Sequence, residues 1–141
     1  MTSISVPAVP VAQPRQRSAM VAGFMRNYTP ARHPVNSYKA AVAIAWRQQT
    51  DAAPLSGPVS LAVDFVLPRP KSRTRKSNRD KRIHHHAKPD LDNLLKSTKD
   101  ALTGLAWGDD AQVCQVRAYK TWASTTEQPH VTITVLPVEP L

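Results

Sequence analysis

The sequence predicts a small α/β (α+β) fold in which one mixed β-sheet packs against two main helices. Apolar residues recur at helical spacing in two segments and alternate with polar residues in three others. A run of basic residues between these elements is too polar to enter a core. The chain has 141 residues, enough for one domain with a modest core, and we expect residues 1–141 to form a single domain.

The N-terminal part predicts an edge strand and a helix. Apolar residues between Ser3 and Val11 indicate a strand, and Pro7 and Pro10 restrict it to the edge of a sheet. The segment "QPRQRSAMVAGFMRNYTP" predicts a short basic loop and a brief extended piece around residues 20–25. Apolar residues spaced by three and four in "VNSYKAAVAIAWRQQ" predict the first helix after Pro34.

The central part predicts the clearest strand and a basic loop. Residues 59–67 alternate between the two faces of a sheet and end at Pro68. Residues 68–88 hold nine Lys or Arg and a single acid, Asp80, so we expect a mobile loop without regular structure that orders on binding. We interpret its basic residues as DNA phosphate contacts, with a solvated charged loop as the alternative. They are Arg69, Lys71, Arg73, Arg75, Lys76, Arg79, Lys81, Arg82 and Lys88.

The C-terminal part predicts a second helix and two further strands. The helix lies in "KPDLDNLLKSTKDALTGL", where Gly104 suits its C-terminal end. The segment "WGDD" is typical of a turn, and "AQVCQVRAYKTW" and "PHVTITVL" alternate as two neighbouring strands would. Residues 137–141 predict a frayed tail. The apolar stripe of the helix consists of Leu91, Leu95, Leu102 and Leu105.

The charge of the chain favours a nucleic-acid partner. Lys and Arg number 19 against 10 acids, which gives a net charge of +9 and a pI near 10.2. Such a surface binds phosphates and releases counterions. The alternatives are a ribosome-associated protein, a binder of anionic membranes and a charge that serves only solubility, and the clustering of the charge favours nucleic acid over all three.

Several classes of protein are disfavoured. Cys114 is the only cysteine, which excludes an internal disulfide and fits a reducing compartment. No apolar run is long enough to cross a membrane, and the N-terminal basic residues follow the apolar ones, the reverse of a secretory signal. We therefore expect a cytoplasmic protein with no membrane partner. A Gly-rich phosphate loop is absent, so a nucleotide cofactor is not indicated.

Two acids stand beside the densest positive charge. Side chains two residues apart diverge by about 200° on a helix but point the same way on an extended segment. Pro89 disfavours a helical Lys88, and Asp is a preferred N-cap. We therefore predict an extended segment at 88–91, Asp92 at or near the cap, and the carboxylates of Asp90 and Asp92 on one side.

Carboxylates in this position suit a hard cation that contacts phosphate. Mg²⁺ prefers carboxylate oxygens and retains several waters, and such an ion assists phosphodiester cleavage. Lys96 would offset the repulsion between the acids or stabilise the transition state. A third acid is offered by Asp109 or Asp110. The alternative is that the first pair only caps a helix and that "GDD" is only a turn.

The segment "KPDLDNLLKSTKDALTGLAWGDDAQV" resembles the signature of the RusA family of Holliday junction resolvases, which are common in phages and prophages. The match runs through Asp-x-Asp-Asn, the lysine four residues after the second Asp, "DAL" and "DDAQV". Upstream, "VPVAQPRQR", "YTP" and "SYKAAV" are also similar to phage-type members. The basic loop is longer and more basic than in compact members.

The resemblance implies a RusA-like homodimer that binds four-way DNA junctions and makes paired nicks with Mg²⁺ or Mn²⁺. It implies that Asp90, Asp92 and Asp110 are catalytic and hold the metal, and that Lys96 is the functional lysine. We therefore predict a Mg²⁺-dependent endodeoxyribonuclease that resolves Holliday junctions by symmetric nicks in DNA recombination and repair. The alternatives are a general branched-DNA or flap nuclease with the same site, and a non-catalytic DNA-binding protein.

Three further residue groups are given structural or accessory roles. The consecutive residues His84, His85 and His86 converge poorly on one zinc ion, so we predict a solvated loop that contacts phosphate or helps to order the site. Cys114 is expected to be buried or half-buried in a strand. We expect the three tryptophans, Trp46, Trp107 and Trp122, to lie in the core or in an interface.

Overall fold

The computed structural model describes the backbone of residues 1–141 and every side chain except that of Arg17. It confirms the predicted α+β class, with two α-helices and a mixed arrangement of strands. Short 3₁₀ turns occupy 71–73 and 110–112. In chain order the elements are β1 (Thr2–Val6), β2 (Arg17–Val21), β3 (Phe24–Tyr28), α1 (Pro34–Gln49), β4 (Val59–Leu67), β5 (Ile83–His84), α2 (Leu91–Leu102), β6 (Val113–Trp122) and β7 (His130–Pro137).

The main sheet has the strand order β1-β7-β4-β6-β5. Its central strand, β4, pairs antiparallel with β7 and parallel with β6. Val63, Phe65 and Val66 on β4 are all buried, so both faces of this strand are covered near its end. Apolar residues on both faces favour the centre of a sheet, which explains the position of β4. The predicted edge position of β1 is confirmed.

The prediction that the last two strands are neighbours is wrong, because β4 lies between β6 and β7. β6 and β7 each carry polar residues on one face, whereas β4 provides an apolar pairing partner for both of these strands. The backbone N–H of Ala123 still donates to the carbonyl of Leu67, 2.8 Å away, before the chain turns back toward β7. Pro137, which was expected in the frayed tail, belongs to β7.

The two helices pack on each other and on one face of the sheet. The hydroxyl groups of Tyr38 on α1 and Thr98 on α2 are hydrogen-bonded at 2.7 Å inside the core. On α2 the most buried apolar side chains are those of Leu94 and Leu102, so the apolar stripe is centred one residue before the predicted Leu95. All three tryptophans are buried, as predicted: Trp46, Trp107 and Trp122.

Two segments contain more regular structure than their sequences indicate. The extended piece expected around residues 20–25 is a complete β-hairpin formed by β2 and β3. Residues 68–88, expected to lack regular structure, contain a 3₁₀ turn and β5. Cys114 is exposed, contrary to the prediction. Among the described residues, no helix has the length and hydropathy that a membrane span requires.

Candidate active site

The N-terminus of α2 presents the two acids of the Asp-x-Asp motif. Asp90 is the N-cap residue, with an extended backbone (φ −69°, ψ 142°), and Asp92 lies near the cap as predicted. Leu91, which was predicted to be extended, is the first residue of the helix. Within the described structure the Asp90 side chain makes no capping hydrogen bond. Asp92 lies in the first turn, where its Oδ1 accepts from the N–H of Asn93 at 3.0 Å. Both acids are exposed, so their carboxylate oxygens are accessible to a ligand.

The loop before Asp90 is fixed by a lysine that the sequence did not single out. The Nζ of Lys120, on β6, donates to the carbonyl oxygens of Ala87 at 2.7 Å and Pro89 at 2.8 Å. Lys88 reaches forward instead, and its Nζ lies 3.5 Å from Oδ2 of Asp90. Since both partners of that ion pair are largely exposed, it holds Asp90 only weakly. Lys120 therefore sets the path of the backbone into the acids.

Lys96 lies one helical turn after Asp92, as the predicted spacing requires. Its exposed side chain lines a cleft between α2 and residues 13–16. Asp100, the next residue along this face, is 3.5 Å from the Nζ of Lys39 on α1. Lys96 thus follows Asp92 by one turn of α2, and an ion pair joins Asp100 to the other helix.

The third predicted acid, Asp110, lies toward the other end of α2. Its Oδ1 is 3.4 Å from the Nζ of Lys99. The backbone of Lys99 lies about 10 Å along the helix axis from that of Asp92. Its neighbour Asp109 is engaged in a capping box with Gln112 and accepts from the N–H of Ala111 at 2.8 Å. Of the two acids in "GDD", Asp110 is therefore the one whose carboxylate is exposed and not used in the turn.

A single chain does not gather the three acids at one point. Among the described side chains, no three His, Cys, Asp or Glu residues are grouped as they would be around a metal ion. Asp90 and Asp92 are neighbours, whereas Asp110 stands apart beside Lys99. One subunit by itself therefore offers two carboxylates and one nearby lysine.

A cluster of rings lies against the loop that carries Asp90. The rings of His85 and Trp122 are 4.5 Å apart, and His86 meets Trp122 edge-on at 5.2 Å. The guanidinium carbon of Arg73 lies 5.1 Å from the Trp122 ring. Burial lowers the pKa of His85, and the ammonium of Lys120 lowers it further. The prediction of a solvated histidine loop is therefore wrong for His85, which is buried.

Comparison with known proteins adds two findings. The family model of endodeoxyribonuclease RusA matches residues 7–136. The chain belongs to the RusA family. It is also 31% identical over 131 residues to the uncharacterized protein YqaN of Bacillus subtilis (strain 168), with 89% of each chain covered.

RusA membership confirms the predicted enzyme class, an endodeoxyribonuclease that hydrolyses phosphodiester bonds of Holliday junctions. The matched region includes both helices, the Asp-x-Asp motif and Asp110. It also includes the whole basic segment 68–88, so the long basic loop of this chain lies within the region that matches RusA.

Two arginines among the predicted DNA contacts in the basic segment of this RusA protein are hydrogen-bonded within the protein. The guanidinium of Arg69 donates to the carbonyls of Asn78, at 2.8 Å, and Lys81, which closes the loop. Arg82 donates two hydrogen bonds to Glu127, at 2.8 and 3.0 Å, and lies 3.1 Å from Asp64. The other predicted contacts have exposed side chains: Lys71, Arg73, Arg75, Lys76, Arg79, Lys81 and Lys88.

Proposed function

We propose that the protein is a Mg²⁺-dependent resolvase that cuts four-way DNA junctions by paired, symmetric nicks as a homodimer. The observation that carries this proposal is the state of Asp90. It occupies an N-cap position, yet its side chain makes no capping hydrogen bond within the described structure, and Asp92 is exposed beside it. A residue that served only as a cap would use its side-chain oxygen on the helix N–H groups.

The acids fit a hard divalent cation. Carboxylate oxygens are the ligands that Mg²⁺ and Mn²⁺ prefer, and two exposed carboxylates leave room for water and a phosphate oxygen. Asp90 and Asp92 would hold the ion. The chemistry that such an ion supplies is polarisation of the phosphoryl oxygen and stabilisation of the leaving oxygen.

Residues of the chain supply the remaining functions. Lys96, one turn from Asp92, places a positive charge where negative charge develops on the phosphoryl group. Lys120 holds the backbone of the acid-bearing loop through two hydrogen bonds. The exposed basic residues of 71–81 bind the phosphates of the DNA arms and set their position without reading sequence.

The outer edge of β6 supports a two-fold dimer. β5 pairs with Thr121 and Trp122, and the N–H of His85 donates to the carbonyl of Lys120 at 3.3 Å. None of the described strands pairs with this edge from Val113 to Tyr119. Val116 and Tyr119 are exposed on this strand. A free strand edge of this length is a template for a second copy, and a two-fold pairing of identical edges is antiparallel.

Such a pairing would bring the third acid to the first two. Asp110 immediately precedes β6, whereas β5, which leads toward Asp90, pairs with the end of β6. In an antiparallel dimer the start of one β6 lies beside the end of the other. We therefore propose that the metal site consists of Asp90, Asp92 and the partner subunit's Asp110, so that dimer formation completes both sites.

The alternatives are separated by one comparison of substrates. The wild-type protein is incubated with end-labelled four-way junction, flap and linear duplex in Mg²⁺, in Mn²⁺ and with chelator. Symmetric, metal-dependent nicks confined to the junction are the expected result. Equal cutting of flaps would indicate a general branched-DNA nuclease, and tight binding without cutting in either metal would indicate a binding protein.

A further inference from the structure

The hairpin of β2 and β3 forms a sheet of its own, apart from the five-stranded sheet. Its register runs from the pair Arg17–Tyr28 to the pair Val21–Phe24. Ala22 and Gly23 in the turn both have positive φ, 52° and 83°. Two such residues form the tight turn whose twist matches that of paired strands, so the hairpin is a regular element.

The tip of the hairpin is apolar on both faces. Phe24 is 77% exposed, and Met20 and Met25 are 65% and 66% exposed. Paired residues share a face and successive residues alternate, so Met20 and Met25 lie on one face and Val21 and Phe24 on the other. A hairpin that packed against a second protein would need one apolar face. Two apolar faces suit insertion between two flat surfaces.

The charge around the hairpin matches a polyanion. The first 50 residues contain no Asp or Glu, and their basic residues include Arg15, Arg26 and Arg32. These three side chains are exposed. The hairpin and its surroundings can therefore approach DNA without local repulsion, and these exposed arginines can bind phosphates.

The root of the hairpin is fixed beside the acids. The N–H of Gln13 donates to the carbonyl of Asn93 at 2.9 Å, and the hydroxyl of Ser97 donates to the carbonyl of Val11 at 2.6 Å. Asn93 is the residue after Asp92. After the hairpin, the side-chain amide of Asn36 holds the carbonyls of Pro30, at 3.2 Å, and Ala31, at 3.1 Å. The hairpin thus leaves the protein next to the proposed cleavage site.

We infer that the hairpin is a wedge that enters the branch point of the DNA. This inference rests on the proposed function. At a branch the base stack is interrupted, and the terminal base pairs of the arms offer flat apolar surfaces. Apolar side chains inserted at such steps unstack bases and hold the DNA open. Phe24 and Val21 would contact one exposed base pair, and Met20 and Met25 the other.

The test uses the full-length protein and a junction with 2-aminopurine at its centre, in Ca²⁺ to prevent cutting. The wild type is expected to raise the fluorescence of the central base, because unstacking relieves quenching. Phe24→Ala should abolish this rise and weaken junction binding about tenfold, with little change on linear duplex. Phe24→Trp should retain both properties. Ile44→Ala, which removes an apolar side chain 51% exposed on α1, is the matched control and should behave as wild type.

The outcomes separate the wedge from the catalytic proposal. If the wild type cuts junctions in Mg²⁺ and Phe24→Ala binds and unstacks them equally well, the wedge is refuted and the nuclease stands. If no junction is cut but the fluorescence rise depends on Phe24, the nuclease proposal fails and the wedge stands. If Phe24→Ala converts a dimer into a monomer in sedimentation, the tip packs on a second copy and the wedge is refuted.

Discussion

The ammonium of Lys120 donates a 2.8 Å hydrogen bond to the carbonyl of Pro89, the residue before Asp90. A second bond from the same group holds Ala87. One half-buried lysine on β6 therefore positions the backbone from which the first acid projects.

Lys120→Met should slow cleavage more than it weakens DNA binding. Loss of two hydrogen bonds frees the acid-bearing loop, and misplacement of a catalytic group by about 1 Å costs on the order of 100-fold in rate. The measurement is single-turnover cleavage of a junction together with junction affinity. Arg47→Met removes the same charge from an exposed position in the last turn of α1 and should leave the cleavage rate near wild type. Equal rates for the two variants would show that Lys120 acts only as a charge.

Arg82→Ala should reduce the stability of the fold, whereas Lys76→Ala should change the salt dependence of DNA binding. Arg82 joins Glu127 and Asp64 at the base of the basic segment, and its hydrogen bonds lower the pKa of Glu127. Its loss should reduce stability by about 1 kcal/mol in urea unfolding, the upper range for an exposed ion pair.

Lys76 is exposed, and its loss should leave stability unchanged while lowering the salt slope of DNA binding by about 0.9. The comparison is made by titrating a labelled junction at several salt concentrations. An unchanged slope in Lys76→Ala would contradict its assignment as a phosphate contact.

His85 should make the fold sensitive to mild acid. Burial lowers its pKa from the ordinary value of 6.5, so the unfolded chain takes up its proton first. The stabilising contribution of neutral His85 is therefore complete above the pKa that this residue has in the unfolded chain. It is lost as the pH falls through the lower pKa that His85 has in the folded protein.

His85→Phe should reduce the change of melting temperature between about pH 7 and pH 5. Phenylalanine suits the site because Nδ1 of His85 has no hydrogen-bond partner among the described residues, and the ring packs on Trp122. The control His86→Phe changes an exposed imidazole that also contacts Trp122 and should retain the wild-type pH dependence. An unaltered pH dependence in His85→Phe would exclude His85 as the source.

The shared metal site predicts complementation between two inactive variants. Asp92→Asn and Asp110→Asn should each be inactive alone. In a mixed dimer one site would contain both substitutions and the other neither. Co-expression with random pairing should restore about a quarter of the wild-type number of sites, each making single nicks. No activity in the mixture would show that the acids do not act across the dimer.

Local patterns predicted the elements whose stability is local. The alternation of 59–67 and the apolar spacing in α1 and α2 gave the correct elements, because burial of one face fixes each of them. The hairpin was missed because Ala22 at positive φ is not a usual turn signal and because neither of its faces is polar at the tip.

Contacts between distant segments could not be predicted from patterns. The placement of β4 between β6 and β7 depends on competition among strands for the centre of the sheet. The bond from Lys120 to Pro89 joins residues 31 apart, and nothing in the strand pattern indicates which loop this lysine faces. The position of Asp110 depends on the end of α2 at Leu102 and on the turn formed by residues 103–109, which the helix and strand patterns do not specify.

The catalytic role of the Asp90–Asp92 pair is tested by comparing Asp92→Asn with wild type on one labelled four-way junction in Mg²⁺. Asp51→Asn, which changes an exposed aspartate in the loop after α1, is the matched control. We expect Asp92→Asn to abolish the paired nicks while it binds the junction as tightly as wild type or more tightly, since a repulsive charge has been removed. Cleavage by Asp92→Asn at the wild-type rate would contradict the assignment of the Asp90–Asp92 pair as the catalytic metal site.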